Sequence, residues 1–200
     1  MNTVYILGDN LYLNITNCCT NRCIFCIKNF SNGVGDKILW LEREPSYKEI
    51  IEELKSYFPL KRYKEIVFCG FGEPLLRVNV VKKIAEFVKN YDSSVFLRID
   101  TNGHGNFFHQ RNILLELKDL IDSISISLNA ETPEKYDEIC RPVFKGIYEE
   151  ILDFIKLATK SIKTVKITIV DLPVIDKVSC EKIASELGVK LYIRKFIKTL

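Results

Sequence analysis

The 200-residue sequence predicts an α/β protein, built as a partial (β/α)6 TIM-like barrel of parallel strands. Short apolar strand patterns alternate with amphipathic helix patterns, and this repetition implies parallel strands joined by right-handed crossovers. A full eight-unit barrel takes about 250 residues. Six units therefore fit this length better, and a doubly wound open sheet is the structural alternative.

The elements follow from the periodicity of the apolar residues. The predicted strands are Leu11–Thr16, Glu65–Cys69, Val95–Asp100, Ser123–Leu128, Thr164–Val170 and Lys190–Lys195. The predicted helices are Tyr47–Phe58, Asn79–Tyr91, Arg111–Leu120, Ile147–Lys160 and Lys177–Leu187. Ser46 precedes the first helix as an N-cap, and Gly188 follows the last one as a C-terminal stop.

Composition restricts the class of protein. Lys and Arg number 29 and Asp and Glu 26, so the net charge is +3, too small to indicate a nucleic-acid partner. Apolar residues make up 47%, which excludes a disordered chain. The longest stretch without a charged residue, 10–21, is too short to span a membrane, and the first ten residues do not resemble a signal peptide. We expect one cytoplasmic domain over residues 1–200.

Several predicted strands alternate between apolar and polar residues, although parallel strands covered on both faces are usually apolar throughout. Ile124, Ile126 and Leu128, for example, alternate with serines. The apolar faces are expected to pack on helices, and the polar faces to line a wide lumen that binds a polar ligand. An ordinary half-exposed sheet is the alternative.

Cysteine carries the first chemical signal. Of seven cysteines, four lie within 18–26, an arrangement more typical of a metal site than of disulfides. Cys19, Cys23 and Cys26 form a C-x3-C-x2-C pattern, and three thiolates on one loop can hold three irons of a 4Fe–4S cluster and leave the fourth open. A structural zinc with Cys18 as fourth ligand is one alternative. Buried free cysteines are the other.

Three further motifs follow successive strands: Gly70-Phe71-Gly72-Glu73-Pro74, Asp100-Thr101-Asn102-Gly103 and Ser127-Leu128-Asn129-Ala130. With the cysteine pattern they resemble the radical S-adenosylmethionine (radical SAM) superfamily over residues 11–195. The GFGEPLL and SLNAETPEKYDEICRP runs are most similar to the small TatD-associated radical SAM proteins. Phe71 departs from the family pattern, which has glycine there.

The resemblance implies an oxygen-sensitive enzyme with a 4Fe–4S cluster and S-adenosylmethionine as cofactors. An electron from the reduced cluster would cleave the S–C5′ bond, and the 5′-deoxyadenosyl radical would take hydrogen from a substrate. The expected partners are an external electron donor and a small-molecule or peptide substrate, with no membrane and no clear nucleic-acid signal. A glycyl-radical-enzyme activase and a non-catalytic metal-binding module are the alternatives.

The resemblance also implies site residues. The cofactor-binding candidates are Phe25, Gly72, Glu73, Asp100, Asn102, Ser127, Asn129 and Arg141. Phe25 would offer an apolar surface to adenine, and Glu73 would accept from the ammonium group. Gly70 and Gly72 would allow the backbone to approach the ligand closely. Arg141 would bind the carboxylate or remain a solvated surface residue.

Two further predictions come from position along the strands. His104 follows the third strand, where barrel enzymes place reactive groups, and is a catalytic candidate, with a passive loop histidine as the alternative. Arg98, Lys166 and Arg194 fall on the polar faces, where Asp100 is the one clear anion. We expect an anionic substrate held by at least two of these cations. Alternatively, Arg194 reaches solvent and Lys166 pairs with a helix carboxylate.

Overall fold

The computed structural model describes residues 2–197. A seven-stranded sheet contains the strands β1 and β2 and β5 to β9, and a two-stranded hairpin contains β3 and β4. The strands are β1 Val4–Leu7, β2 Asn10–Leu13, β3 Gly33–Val34, β4 Lys37–Ile38, β5 Ile66–Phe68, β6 Leu97–Thr101, β7 Ser123–Ser127, β8 Thr164–Val170 and β9 Lys190–Arg194.

Seven α-helices connect and cover these strands in the described residues. They are α1 Tyr47–Lys55, α2 Val78–Tyr91, α3 Gly105–His109, α4 Leu114–Leu117, α5 Pro133–Cys140, α6 Ile147–Ser161 and α7 Lys177–Glu186. Ser46 caps α1 as predicted, and its side chain and that of Glu49 form a reciprocal capping box. Residues 74–77 form a 3-10 helix that runs into α2.

The large sheet runs in the order β1-β2-β5-β6-β7-β8-β9. β1 pairs antiparallel with β2, and every later pair is parallel. Within the described residues β1 and β9 do not pair, so the sheet is not closed. The predicted α/β class with parallel strands in a partial barrel is confirmed.

The predicted alternation separates two environments on the sheet. Leu97 and Ile99 of β6 are fully buried in the main apolar core, whereas Arg98 and Asp100, which alternate with them, are mostly buried on the other face. That other face is the concave side of the partial barrel. No helix in residues 2–197 combines the length and the apolar character needed to cross a membrane.

Some elements differ from the prediction. β1 and the β3–β4 hairpin were not predicted, and neither were α3 and α5. The predicted helix Arg111–Leu120 is reduced to the single turn of α4. β9 has the predicted position, but at this edge of the sheet Tyr192 and Ile193 are about half exposed.

Candidate active site

A cavity of about 550 Å³ lies at the carboxyl ends of the parallel strands. The loop after β2 supplies its cysteines, and the ends of β5 to β9 supply the opposite wall. The lining residues are Cys19, Asn21, Cys23, Phe25, Cys26, Ile27, Cys69, Gly70, Gly72, Glu73, Asp100, Thr101, Asn102, Ser127, Asn129, Val170, Arg194, Lys195, Phe196 and Ile197. Residues from widely separated parts of the chain therefore form one site, as parallel barrels allow.

The cysteine loop places three of its four thiols in this cavity. Cys19, Cys23 and Cys26 are half-buried and line it, whereas Cys18 is exposed and does not. The backbone N–H groups of Arg22 and Ile24 donate to the carbonyls at the end of α5, each over 2.9 Å. In the opposite direction, the Val143 N–H just after α5 donates to the Thr20 carbonyl at 2.9 Å. The loop is thus tied to α5 on both sides.

The chemistry of these thiols fits a metal cluster. Burial raises the pKa of Cys19 to about 12 and also raises that of Cys26. A hydrogen bond with the Cys140 thiol, together with burial, raises the pKa of Cys23. A bound metal deprotonates thiols of this kind. Among the described residues, no three His, Cys, Asp or Glu side chains converge as ligands of one ion; a cubane instead takes each thiolate on a different iron.

Glu73 is buried at the cavity wall and connects two strand ends. Its Oε1 accepts bonds from the Leu75 N–H at 3.0 Å and the Thr101 hydroxyl at 2.7 Å. Its Oε2 accepts the Asn102 N–H at 2.6 Å. Burial raises its pKa to about 7, and these hydrogen bonds oppose that shift. Glu73 therefore fixes the Thr101–Asn102 segment, and its contact with the cofactor's ammonium group stays a prediction.

The two glycines before Glu73 allow a close approach between two segments of the protein itself. A Cβ on Gly72 would collide with the backbone oxygens of Thr16 and Cys18, and one on Gly70 with the Asn14 side chain. Both neighbours belong to the strand and loop that lead into the cysteines. The missing side chains therefore allow the cysteine loop to pack, and the predicted space for a ligand stays a prediction, since both glycines also line the cavity.

His104 is not placed to act on a ligand. It is fully buried and does not line the cavity. Its Nδ1 lies 2.7 Å from the Thr20 hydroxyl and its Nε2 lies 2.9 Å from the Tyr136 hydroxyl. Burial lowers its pKa to about 3. Both ring nitrogens hold the cysteine loop against α5, and no contact in the described residues supports the catalytic prediction for His104.

Seven of the eight predicted cofactor-binding residues line the cavity, and their contact with a cofactor stays a prediction. Phe25, Gly72, Glu73, Asp100, Asn102, Ser127 and Asn129 all line the cavity. Arg141 does not: it is exposed after α5 and lines a separate depression, so its prediction as a carboxylate partner is corrected. Asn21 and Asn129 each keep a buried amide oxygen without a donor among residues 2–197.

The three predicted lumen cations have different surroundings. Arg98 Nε lies 2.9 Å from Glu65 and its Nη1 lies 2.9 Å from Asp100, so its charge is balanced. The expectation of an unpaired Arg98 is wrong, because Glu65 adds a second anion to that face. Lys166 lies over the Tyr192 ring, 5.1 Å from its centroid, and Arg194 donates to the Ser127 hydroxyl at 3.2 Å. Neither forms an ion pair in the described residues.

Some site residues were missed in the sequence. Cys69 lines the cavity, and burial raises its pKa to about 12. Cys140 reaches the Cys23 thiol from α5. The start of α5 was readable, since Thr132 caps it and Pro133 occupies the first turn.

Comparison with known proteins identifies the family. The model of the radical SAM superfamily matches residues 13–187. The chain belongs to the radical SAM superfamily. Its relatives include a GTP 3′,8-cyclase of Limosilactobacillus fermentum, 31% identical over 82% of this chain and 46% of that protein. A tRNA 4-demethylwyosine synthase of Xenopus laevis is 28% identical over 74% of this chain and 21% of its own length.

An uncharacterized protein of Methanocaldococcus jannaschii is 29% identical over 76% of this chain and 44% of that protein. The chain therefore spans less than half the length of these curated radical SAM relatives. Among solved structures, TYW1 with a lysine-pyruvate adduct covers 94% of this chain and is itself covered to 65%, with a TM-score of 0.64 and 17% identity. Streptococcus suis SuiB bound to S-adenosylmethionine gives a TM-score of 0.64 and 13% identity over 94% of this chain and 38% of its own. These likenesses support the fold.

Proposed function

We propose that this chain is a radical SAM enzyme that cleaves S-adenosylmethionine reductively and abstracts hydrogen from a substrate. The observation that carries the proposal is the common cavity, which brings Cys19, Cys23 and Cys26 together with the polar ends of four strands. A 4Fe–4S cluster held by these thiols would supply the electron that cleaves the S–C5′ bond of S-adenosylmethionine, giving methionine and a 5′-deoxyadenosyl radical.

The chain's own residues bind and orient the cofactor. Phe25 and Ile27 form an apolar side of the cavity that suits adenine and excludes water. The unpartnered amide oxygens of Asn21 and Asn129 suit a ligand that carries N–H or O–H donors. Asp100 and Ser127, at the ends of β6 and β7, place further polar groups toward the same space.

We also propose that the substrate carries an anionic group. Arg194 supports this, since it lines the cavity and forms no ion pair among residues 2–197. Lys166 does not line this cavity and belongs to a separate depression. Because Arg194 is exposed, Arg194→Met is expected to keep the iron content and substrate-free cofactor cleavage, and to weaken the binding of an acidic substrate by up to about 1 kcal/mol. A substrate bound equally well by this variant would contradict the anionic assignment.

Within the superfamily, the Gly70–Leu76 and Ser127–Pro142 sequences favour a place near the small TatD-associated radical SAM proteins. Activation of a partner by glycyl-radical formation is not separately favoured by a specific contact. The proposed chemistry requires an external electron donor and predicts an oxygen-sensitive enzyme.

The deciding experiment is anaerobic incubation with S-adenosylmethionine and dithionite, followed by quantification of 5′-deoxyadenosine. We expect cleavage in the absence of substrate. The matched control is the Cys19→Ala/Cys23→Ala/Cys26→Ala variant, which should form none. Protein that binds iron and sulfide but gives no 5′-deoxyadenosine would refute the proposed activity, and protein that binds one zinc would favour a metal-binding module.

A further inference from the structure

A basic depression lies on the surface beside the cysteine loop, separate from the cysteine cavity. It is lined by Arg22, Asp137, Arg141, Pro142, Val143, Phe144 and Lys145. Arg22 is adjacent in sequence to Cys23, and Arg141 is adjacent to Cys140. The two short segments that carry these cysteines therefore also present positive charge to the surface.

The charge of this depression is unbalanced. Arg22, Arg141 and Lys145 are exposed, and none forms an ion pair with a residue in the described part of the chain. Asp137 is the single carboxylate in the lining, so three cations face one anion. Val143, which is 53% exposed, places apolar surface among them. An apolar centre with a charged rim is typical of a protein interface.

The depression is also close to the cysteines through direct contacts. The Arg22 N–H donates to the Cys140 carbonyl at 2.9 Å, and the next residue along the chain, Cys23, lines the cavity. Phe144 anchors the outer segment, with its ring 5.0 Å from that of Phe107. One layer of hydrogen-bonded backbone thus separates this surface from a cysteine of the cavity. The rate of electron transfer falls steeply with distance. A donor docked in this depression would therefore have a short path to the cysteines of the cavity.

We propose that the basic depression docks a small acidic one-electron carrier protein. The inference rests on the proposed function, which needs one electron from outside the chain. In the transfer the carrier is oxidised by one electron, the 4Fe–4S cluster is reduced by one electron, and no proton or group moves. Charge complementarity selects an acidic partner and speeds its encounter, and a small interface allows it to leave after each transfer.

The test reverses the charge of the depression and measures binding and reduction separately. The variant is Arg22→Glu/Arg141→Glu/Lys145→Glu, and its matched control is Lys48→Glu/Lys118→Glu/Lys160→Glu, which alters the net charge equally at other exposed lysines. A purified acidic ferredoxin and a purified acidic flavodoxin serve as probes. Calorimetry measures the Kd of each oxidised carrier, and 5′-deoxyadenosine formation measures reduction by each reduced carrier.

For the depression variant we expect a Kd about ten-fold higher and carrier-driven cleavage about ten-fold slower, with a weaker dependence on salt. Iron content and dithionite-driven cleavage should match the wild type. The control should retain wild-type affinity. Arg141→Glu/Lys145→Glu leaves the cysteine loop unaltered, and it replaces the triple variant if that variant loses iron.

Docking is overturned if the wild type binds neither carrier, or if the variant and its control respond equally. Lost binding of bulk tRNA with unchanged carrier binding would assign the surface to nucleic acid and also overturn it. Failure of the proposed function is distinguishable, because it would appear as absent dithionite-driven cleavage in the wild type. Carrier binding is measured independently of that reaction.

Discussion

Cys18 and Cys19 are neighbours in the chain with opposite surroundings. The Cys18 side chain is exposed, and its backbone carbonyl accepts the Glu73 N–H at 2.8 Å. The Cys19 thiol lies in the cavity, where the Asn102 amide lies 3.9 Å from its sulfur. This difference favours the three-cysteine pattern over a zinc site that includes Cys18.

Removal of single cysteines tests the ligand set. Cys19→Ala, Cys23→Ala or Cys26→Ala should each prevent a stable 4Fe–4S cluster, because each removes one of three protein ligands. Cys18→Ala should retain it and is the matched control. Iron and sulfide content after anaerobic reconstitution measures the effect. Iron lost from Cys18→Ala but kept by Cys19→Ala would reverse the assignment.

His104 gives a prediction about acid stability. Its folded-state pKa of about 3 lies below its ordinary value of 6.5, so between these pH values the unfolded chain binds a proton that the folded chain does not. Stability should therefore fall as the pH falls below about 6.5, by at most about 2 kcal/mol between pH 6.5 and pH 5.

His104→Phe removes this pH-dependent contribution to stability. It also removes the ring nitrogens that the Thr20 and Tyr136 hydroxyls contact. We expect it to cost about 1–3 kcal/mol at pH 7 and to show a shallower loss between pH 7 and pH 5. Urea unfolding at both values measures both effects. Equal pH dependence in the wild type and the variant would show that His104 is not buried as a neutral imidazole.

At the scale of elements, the strands with a strong apolar alternation were predictable from sequence. The Thr164–Val170 prediction matches β8, and the ends of the other core strands differ by a few residues. β1 was not predicted because its apolar and polar residues alternate only weakly. Ile6 and Leu7 are both apolar and both 44% exposed at the edge of the sheet. The short β3–β4 hairpin carries too few residues for a periodic signal.

The ion pairs of β6 give a test with a matched control on the same face. Arg98→Met removes the cation paired with Glu65 and Asp100 and should lower the free energy of unfolding by about 2–3 kcal/mol. Lys166→Met removes no ion pair present in residues 2–197, only the contact with the Tyr192 ring. It should lower the free energy of unfolding by less than about 1 kcal/mol. Chemical denaturation compares them. Equal losses would contradict the structural role of Arg98.

At the scale of the whole molecule, motif spacing anticipated most of the cavity wall. Residues next to a strand end, such as Asp100 and Ser127, could be placed because parallel strands end at one edge. The prediction for Arg141 failed because α5 was not predicted. Arg141 ends α5 with a positive φ, and this turn sets the direction of its side chain. The contribution of Phe196 could not be read either, since it depends on how β9 leaves the sheet.

The whole site should be sensitive to air and protected by its ligand. The open iron of the proposed cluster would be accessible to oxidants through the cavity of about 550 Å³. We expect visible absorbance and iron to be lost in air, and S-adenosylmethionine to slow the loss by binding the folded, loaded protein. Absorbance measured over time with and without the ligand tests this. An air-stable spectrum that the ligand does not change would contradict an open iron.

The bonds between the cysteine loop and α5 have an entropic consequence for iron uptake. A chain that must be ordered by its metal loses conformational entropy on binding, which lowers its apparent affinity. Here the backbone bonds of Arg22, Ile24 and Val143 order the loop during folding, with protein partners alone. If the proposed cluster forms, iron and sulfide would meet a prearranged set of thiols, and cluster assembly would be a step of ligation without a step of folding.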